Sequence, residues 1–212
     1  MLQRRLFLIL SLSLLVIFSA CSDSMTGADD EPASEIEIQQ YEDLNAEGAD
    51  GSFIFFSLLN GGIVAAEDSA TTGWDIAIRG TTILTNSGVS GPGDGGAILL
   101  DLPFDEVSIA PESGYSTDSE ESLAIPTGSG NGWYSYTGQA NPQFAILPIE
   151  NKTIVLKTGD GSHYAKLEII SYYKGNPDAG SEEFASLQTR PDGRFYTFRY
   201  AIQQTEGLRE LQ

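Results

Sequence analysis

Few residues in this chain could do chemistry. His163 is the only histidine, Cys21 is the only cysteine, and Asp118, Glu120 and Glu121 form a small acidic cluster. An imidazole can move protons or hold a metal near neutral pH. A Ser-His-Asp triad would have to be built on His163, and the chain has no Gly-x-Ser-x-Gly elbow. One imidazole with carboxylates falls short of the Cys and His sets that hold zinc. The acidic cluster lacks the spacing of a calcium loop, so an acidic surface loop is expected there. Gly91-Pro92-Gly93-Asp94-Gly95-Gly96 is rich in glycine, but no Lys-Ser/Thr pair follows to cradle a phosphate. Its glycines are expected to shape a bend or a close backbone approach. These absences argue against an enzyme. They leave two readings of His163: a single imidazole ligand at a pocket mouth, or a half-exposed turn histidine.

Cys21 draws its meaning from what precedes it. Arg4 and Arg5 open the chain, Leu6 to Phe18 is apolar, and Ser19-Ala20 stand before the cysteine. This layout predicts a secretory signal peptide over residues 1–20. Its end resembles the lipobox of bacterial lipoproteins, with Phe18 where leucine is usual, and implies lipidation of Cys21. The other reading is an ordinary signal peptide beside a chance cysteine. Residues 21–37 hold Ser, Asp, Gly, Glu and Pro32 with little to bury, and are expected to form a flexible tether. Membrane attachment would then run through the lipid anchor alone, each buried CH₂ contributing about 0.8 kcal/mol.

Residues 38–212 are long enough for one domain with a core. Once Cys21 is set aside no thiol remains, so no disulfide can staple the fold. Losing Arg4 and Arg5 leaves 9 Lys and Arg against 30 Asp and Glu, a net charge of −21. An acidic surface repels nucleic acid and anionic lipid, which removes both as partners.

The elements that would position a site are strands. Ser52–Leu59 carries Phe53, Ile54, Phe55 and Phe56, a run suited to burial on both faces. Trp74–Arg79 alternates, with Trp74, Ile76 and Ile78 on one face and Asp75 and Arg79 on the other. Thr81–Thr85, Ala97–Leu102, Trp133–Thr137 and Gln143–Ile149 read as further strands, and Ala110–Gly132 as a long surface loop. Asp160-Gly161 marks a hairpin between Thr153–Lys157 and His163–Tyr173. Arg194–Gln203 supplies a last strand, and Ser181–Leu187 is the one short helical candidate. Turns about every ten residues suit a sandwich or barrel. The fold class is therefore all-β and mainly antiparallel, with little helix.

Three blocks carry a resemblance. They are Trp74-Asp75-Ile76-Ala77-Ile78-Arg79 with Thr85-Asn86-Ser87-Gly88 and the Gly91–Ala97 loop; Lys157-Thr158-Gly159-Asp160-Gly161 with Tyr164-Ala165-Lys166-Leu167 and Tyr172-Tyr173; and Tyr196-Thr197-Phe198-Arg199-Tyr200. In this order, behind a lipobox, the chain resembles the HmuY family of lipoproteins of the Bacteroidota. The resemblance implies a single HmuY-like β domain over 38–212. It also implies an outer-membrane lipoprotein exposed at the cell surface, which captures haem and passes it to a TonB-dependent outer-membrane receptor.

The founding type holds haem iron between two histidines, and this chain has one. His163 is thus the sole imidazole candidate for an axial ligand, since Met1 and Met25 fall in the signal and the tether. It shares strand parity with Ala165, Leu167 and Ile169. Tyrosinate also ligates iron, and Tyr134, Tyr136, Tyr164, Tyr172 and Tyr173 are candidates by abundance, against the ordinary reading of core packing. Haem propionates would need local positive charge. Arg79, Lys152, Lys157, Lys166 and Arg199 are the cations near strands, and each also reads as an outward-facing charge. The expected function is haemophore-like capture of haem or another small hydrophobic ligand. The alternative is a binding or adhesion lipoprotein with a non-haem ligand on the same scaffold.

Overall fold

The computed structural model describes residues 36–212. The expected signal peptide, Cys21, Met25 and nearly all of the tether lie outside the described residues.

Eleven strands are described, all paired antiparallel. They are β1 (Ile38–Asn45), β2 (Ile54–Ser57), β3 (Gly62–Val64), β4 (Ile76–Arg79), β5 (Thr82–Thr85), β6 (Gly96–Leu100), β7 (Tyr134–Tyr136), β8 (Ile146–Pro148), β9 (Thr153–Lys157), β10 (Tyr164–Tyr173) and β11 (Gly193–Ile202). A five-stranded sheet runs β1-β11-β10-β9-β6, a four-stranded sheet runs β3-β2-β4-β5, and β7-β8 stand as a separate hairpin. One short helix, α1 (Glu182–Ala185), falls in the expected segment. Ser181 caps it, accepting the Phe184 amide at 3.1 Å.

The two larger sheets share one core. Ala165, Leu167 and Ile169 of β10 are buried, opposite Ile202, Tyr200 and Phe198 of β11. Phe56 from the other sheet inserts among them, edge-on to Tyr41, Phe198 and Tyr200 at centroid distances of 5.0, 5.3 and 6.1 Å. Burying such a ring contributes about 1.5–3 kcal/mol, and edge-to-face pairs add about 0.5–1.5 kcal/mol each.

Polar groups tie the layers together. Asp75 Oδ2 accepts the Leu58 amide at 2.7 Å, and Oδ1 accepts the Gly159 amide at 2.8 Å, in the β9–β10 turn. The expected outward Asp75 is therefore 5% exposed, and β4 is buried on both faces. The Gly91–Gly96 loop makes the expected close approach. A Cβ on Gly93 would lie 2.4 Å from the Gly159 carbonyl and 2.6 Å from that of Asn86.

Two other outward charges turn inward. Asp118, in the Ala110–Gly132 loop, is 2% exposed, and its carboxylate accepts the amides of Thr85 and Ala124 at 3.0 and 2.8 Å. Glu120 and Glu121 remain exposed. Lys166 is 1% exposed and donates to the carbonyls of Phe104 and Val107 at 3.0 and 2.8 Å. In both cases backbone groups left unpaired by the sheets, at the end of β5 and in loops, need a side chain to satisfy them, a demand no strand pattern signals.

β1 and β3 have no counterpart among the expected strands. β1 is an edge strand whose sequence is mostly polar, and a bulge between Tyr41 and Leu44 interrupts its alternation. β3 has three residues. An edge strand needs little apolar patterning, because its partner supplies the pairing.

Candidate functional site

His163 lies one residue before β10 and is 6% exposed, so it is buried and not half-exposed. Its Nδ1 faces Asp160 Oδ2 at 2.9 Å. Its backbone is clasped by Thr158, whose hydroxyl accepts the His163 amide at 3.0 Å and whose amide donates to the His163 carbonyl at 3.1 Å. With a carboxylate as acceptor, Nδ1 carries a proton. Asp160 is partly desolvated, which alone would raise its pKa. Hydrogen bonds from Thr158 and Ser162 and the neighbouring His163 outweigh this and hold its carboxyl below the usual value.

An aromatic cleft opens at the other end of β10. Its volume is about 580 Å³, within the usual range of ligand sites. A hollow beside Phe55 and Val89 measures about 490 Å³, and one beside Leu147 and Ile169 about 360 Å³. The β7–β8 hairpin brings Phe144 and Ile146 to one wall of the cleft. The end of β10 supplies Tyr172 and Tyr173 as its floor, and the chain from Leu187 to Phe195 forms the opposite wall. Phe144 and Leu187 are 43% and 50% exposed, an apolar lip on each side.

Three features separate this cleft from an ordinary surface groove. The first is backbone strain. Among the described residues, those other than glycine with φ in the left-handed region are Asp43, Asp50, Asn151, Asn176, Phe144 and Arg194. Asp and Asn tolerate that region, whereas phenylalanine and arginine rarely do. Phe144 (φ 55°) and Arg194 (φ 69°) both line the cleft. Such residues cost about 1–3 kcal/mol each and concentrate at ligand sites.

The second feature is a brace. Arg190 Nε donates to the Phe184 carbonyl and Nη1 to the Gln143 carbonyl, both at 2.8 Å. Its guanidinium carbon lies 4.8 Å from the Phe184 ring centroid. One side chain of the Leu187–Phe195 wall thus ties α1, behind it, to the backbone beside Phe144 on the hairpin wall. Tyr173 adds a second tie, its hydroxyl accepting the Ile146 amide at 3.0 Å.

The third is a pair of guanidinium groups, set beside the carboxylates of Glu47 and Asp192. Arg190 and Arg194 both line the cleft, and Arg194 pairs with Glu47 at the rim. The cations expected from the sequence are elsewhere. Arg79 lies 4.3 Å from the Phe53 ring centroid, Lys152 pairs with Asp101, Lys166 is buried, and Arg199 bridges Glu168 and Asp105.

Of the tyrosine candidates, Tyr172 and Tyr173 reach the cleft. Burial raises the Tyr172 phenol above its ordinary pKa, with the Arg194 guanidinium in partial opposition. Tyr136 is 47% exposed, opposite Ile146 on the hairpin. Tyr134 packs on Trp133 at 5.0 Å, and Tyr164 on Tyr115 at 5.9 Å. His163 is nine residues from Tyr172 along one strand, roughly 30 Å at about 3.3 Å per residue. The structure therefore does not bring His163 and the cleft tyrosines together.

Phe144, Leu187, Arg190 and Arg194 were missed in the sequence. Arg190-Pro191-Asp192-Gly193 was the available signal, a turn of the x-Pro-Asp-Gly kind that sets two walls close together.

Two antiparallel sheets thus share one core, and a braced aromatic cleft opens at one end of β10. The family model for the HmuY protein matches residues 50–185, and the chain belongs to the HmuY family. The match contains Phe144, Ile146, Tyr172 and Tyr173, while Leu187 to Phe195 lie beyond it. The fold is similar to the crystal structure of the apo HmuY analog (TFO) of Tannerella forsythia. The TM-score is 0.51 and the identity 16%, over 82% of this chain and 99% of that one. A search of curated proteins found no match.

Proposed function

We propose that this protein is an exported, haemophore-like binding protein that captures haem or a related tetrapyrrole in the cleft between the β7–β8 hairpin and the Leu187–Phe195 segment. The observation that carries the reading is the conjunction of Phe144, Tyr172, Tyr173 and Leu187 with Arg190 and Arg194 in one cleft. A flat apolar ligand with two carboxylates asks for that pairing of aromatic surface and guanidinium. In this reading Cys21 carries the lipid and anchors the protein to the outer membrane at the cell surface. From there the cargo passes to a TonB-dependent receptor.

His163 could meet a haem only at a separate place, through Nε2 at the β9–β10 turn. A haemin titration followed by Soret absorbance distinguishes the two places. The expected result is saturation at one equivalent, weakened about tenfold or more in Leu187→Asp and unchanged in His163→Ala. Loss of binding in His163→Ala with none in Leu187→Asp would move the site to the turn and overturn the cleft. No saturable change in the unsubstituted protein would overturn haem capture and leave the adhesion reading.

A further inference from the structure

The groups in this chain that commonly hold haem iron are few. It has one histidine, one cysteine and two methionines. His163 sits at the far end of β10 from the cleft, and Met1, Cys21 and Met25 lie outside the described residues. Within the cleft the oxygen donors of the side chains are two phenols and the carboxylates of Glu47 and Asp192. A phenol ligates iron as tyrosinate, but Tyr172 is 8% exposed and packed among the rings of Trp133, Tyr173 and Tyr196. The Tyr173 hydroxyl is occupied by the Ile146 amide. Glu47 is paired with Arg194. Asp192 is exposed, and a carboxylate is not among the usual haem ligands, so the donor set does not fit an axially held iron.

The same cleft does fit the rest of a porphyrin. Phe144 and Leu187 present apolar surface on opposite lips. Guanidinium groups carry five N–H donors, and the hydrogen bonds of Arg190 run to backbone carbonyls of Phe184, Gln143 and Ala185. Its charge is thus oriented without being neutralised by a carboxylate. Arg194 is 52% exposed at the rim.

Resting on the tetrapyrrole reading of the cleft, we propose that the protein recognises the porphyrin itself, through its faces and its carboxylates, and takes it with or without iron. Metal-free porphyrin is then as good a cargo as haem.

The test titrates the purified protein with haemin and with protoporphyrin IX in parallel. Trp133 serves as the reporter, because its ring lies 6.0 Å from that of Tyr172 on the cleft floor. The expected result is quenching by both ligands with dissociation constants within about threefold of each other, mutual competition, and similar weakening of both by Leu187→Asp. Haemin bound about tenfold or more tightly than protoporphyrin IX, or not displaced by it, would assign an iron ligand. That result overturns this inference and leaves haem capture standing. Equal binding that Leu187→Asp leaves intact would place both ligands outside the cleft and overturn the inference. Binding of neither would overturn it together with the tetrapyrrole reading.

Discussion

Replacing Arg190 by lysine keeps one positive charge at the cleft and removes the fork that closes it. Nε and Nη1 reach the carbonyls of Phe184 in α1 and of Gln143 in the β7–β8 hairpin loop, at 2.8 Å each. An ammonium is a compact point charge on a flexible stem and cannot reproduce a planar fork spanning both. A hydrogen bond to a charged group contributes about 1.5–3 kcal/mol. The Gln143 bond is exposed, so the lower end applies there. Loss of the stacking on Phe184 adds about 0.5–1 kcal/mol. With one of the two main bonds retained, Arg190→Lys is expected to cost about 2 kcal/mol. Urea unfolding reads this as a lower midpoint at unchanged slope. The second readout is local: amide exchange at Phe144 and Ala145 should quicken while β9 and β10 keep their protection. Affinity for the cleft ligand should fall in step, because the hairpin wall is no longer held against α1. A variant with unchanged midpoint and unchanged exchange would refute the brace, and with it the argument that the cleft is preformed.

Phe144→Gly should leave stability within about 1 kcal/mol, since relief of a left-handed φ worth about 1–3 kcal/mol offsets the loss of a partly exposed ring; it should still weaken ligand binding, as calorimetry beside urea unfolding would show. Lys166→Met should destabilise by about 2–4 kcal/mol, because the buried carbonyls of Phe104 and Val107 lose their donor; a midpoint equal to that of the unsubstituted protein would count against it. Asp160 has a carboxyl held below its usual pKa of 3.8. The stability it contributes is therefore complete above about pH 4 and lost as pH falls through the lower folded value. The gap between the protein and Asp160→Asn in thermal unfolding should thus be widest near pH 6 and narrow towards pH 3.

Strands were legible where their apolar residues face a core. Thr153–Lys157, with its Asp-Gly turn, was placed residue for residue, and β10 and β11 to within one residue at either end. There the period of two and the turn chemistry agree. Buried polar groups were not legible. Asp75, Asp118 and Lys166 sit in positions that read as solvated faces, and each is drawn inward by amides or carbonyls of a segment distant in sequence. A local pattern carries no record of such partners. The cleft was hidden for a related reason. Its walls come from the Phe144 and Arg190 regions, 46 residues apart, and neither alone has a chemical signature. His163 drew notice as the lone imidazole, yet its nearest partners are the two turn residues Asp160 and Thr158.

Strain and bracing at the cleft explain each other. A phenylalanine in the left-handed region would relax if its loop could move, at a gain of about 1–3 kcal/mol. It is held because Ala145, the next residue, donates to Thr137 Oγ1 at 2.8 Å and Arg190 grips the Gln143 carbonyl on the other side. Arg194 is fixed in the same way, with Glu47 on its guanidinium and the Tyr172 ring against Gly193, where a Cβ would stand 2.9 Å from Cε1. A site organised around one strong metal bond can tolerate loose walls, since the bond itself fixes the ligand. A site that must hold a flat ligand by contact alone gains affinity from walls set in place beforehand, because less freedom is lost on binding. Under the contact-only reading proposed above, the bonds that hold Phe144 in place would serve that affinity.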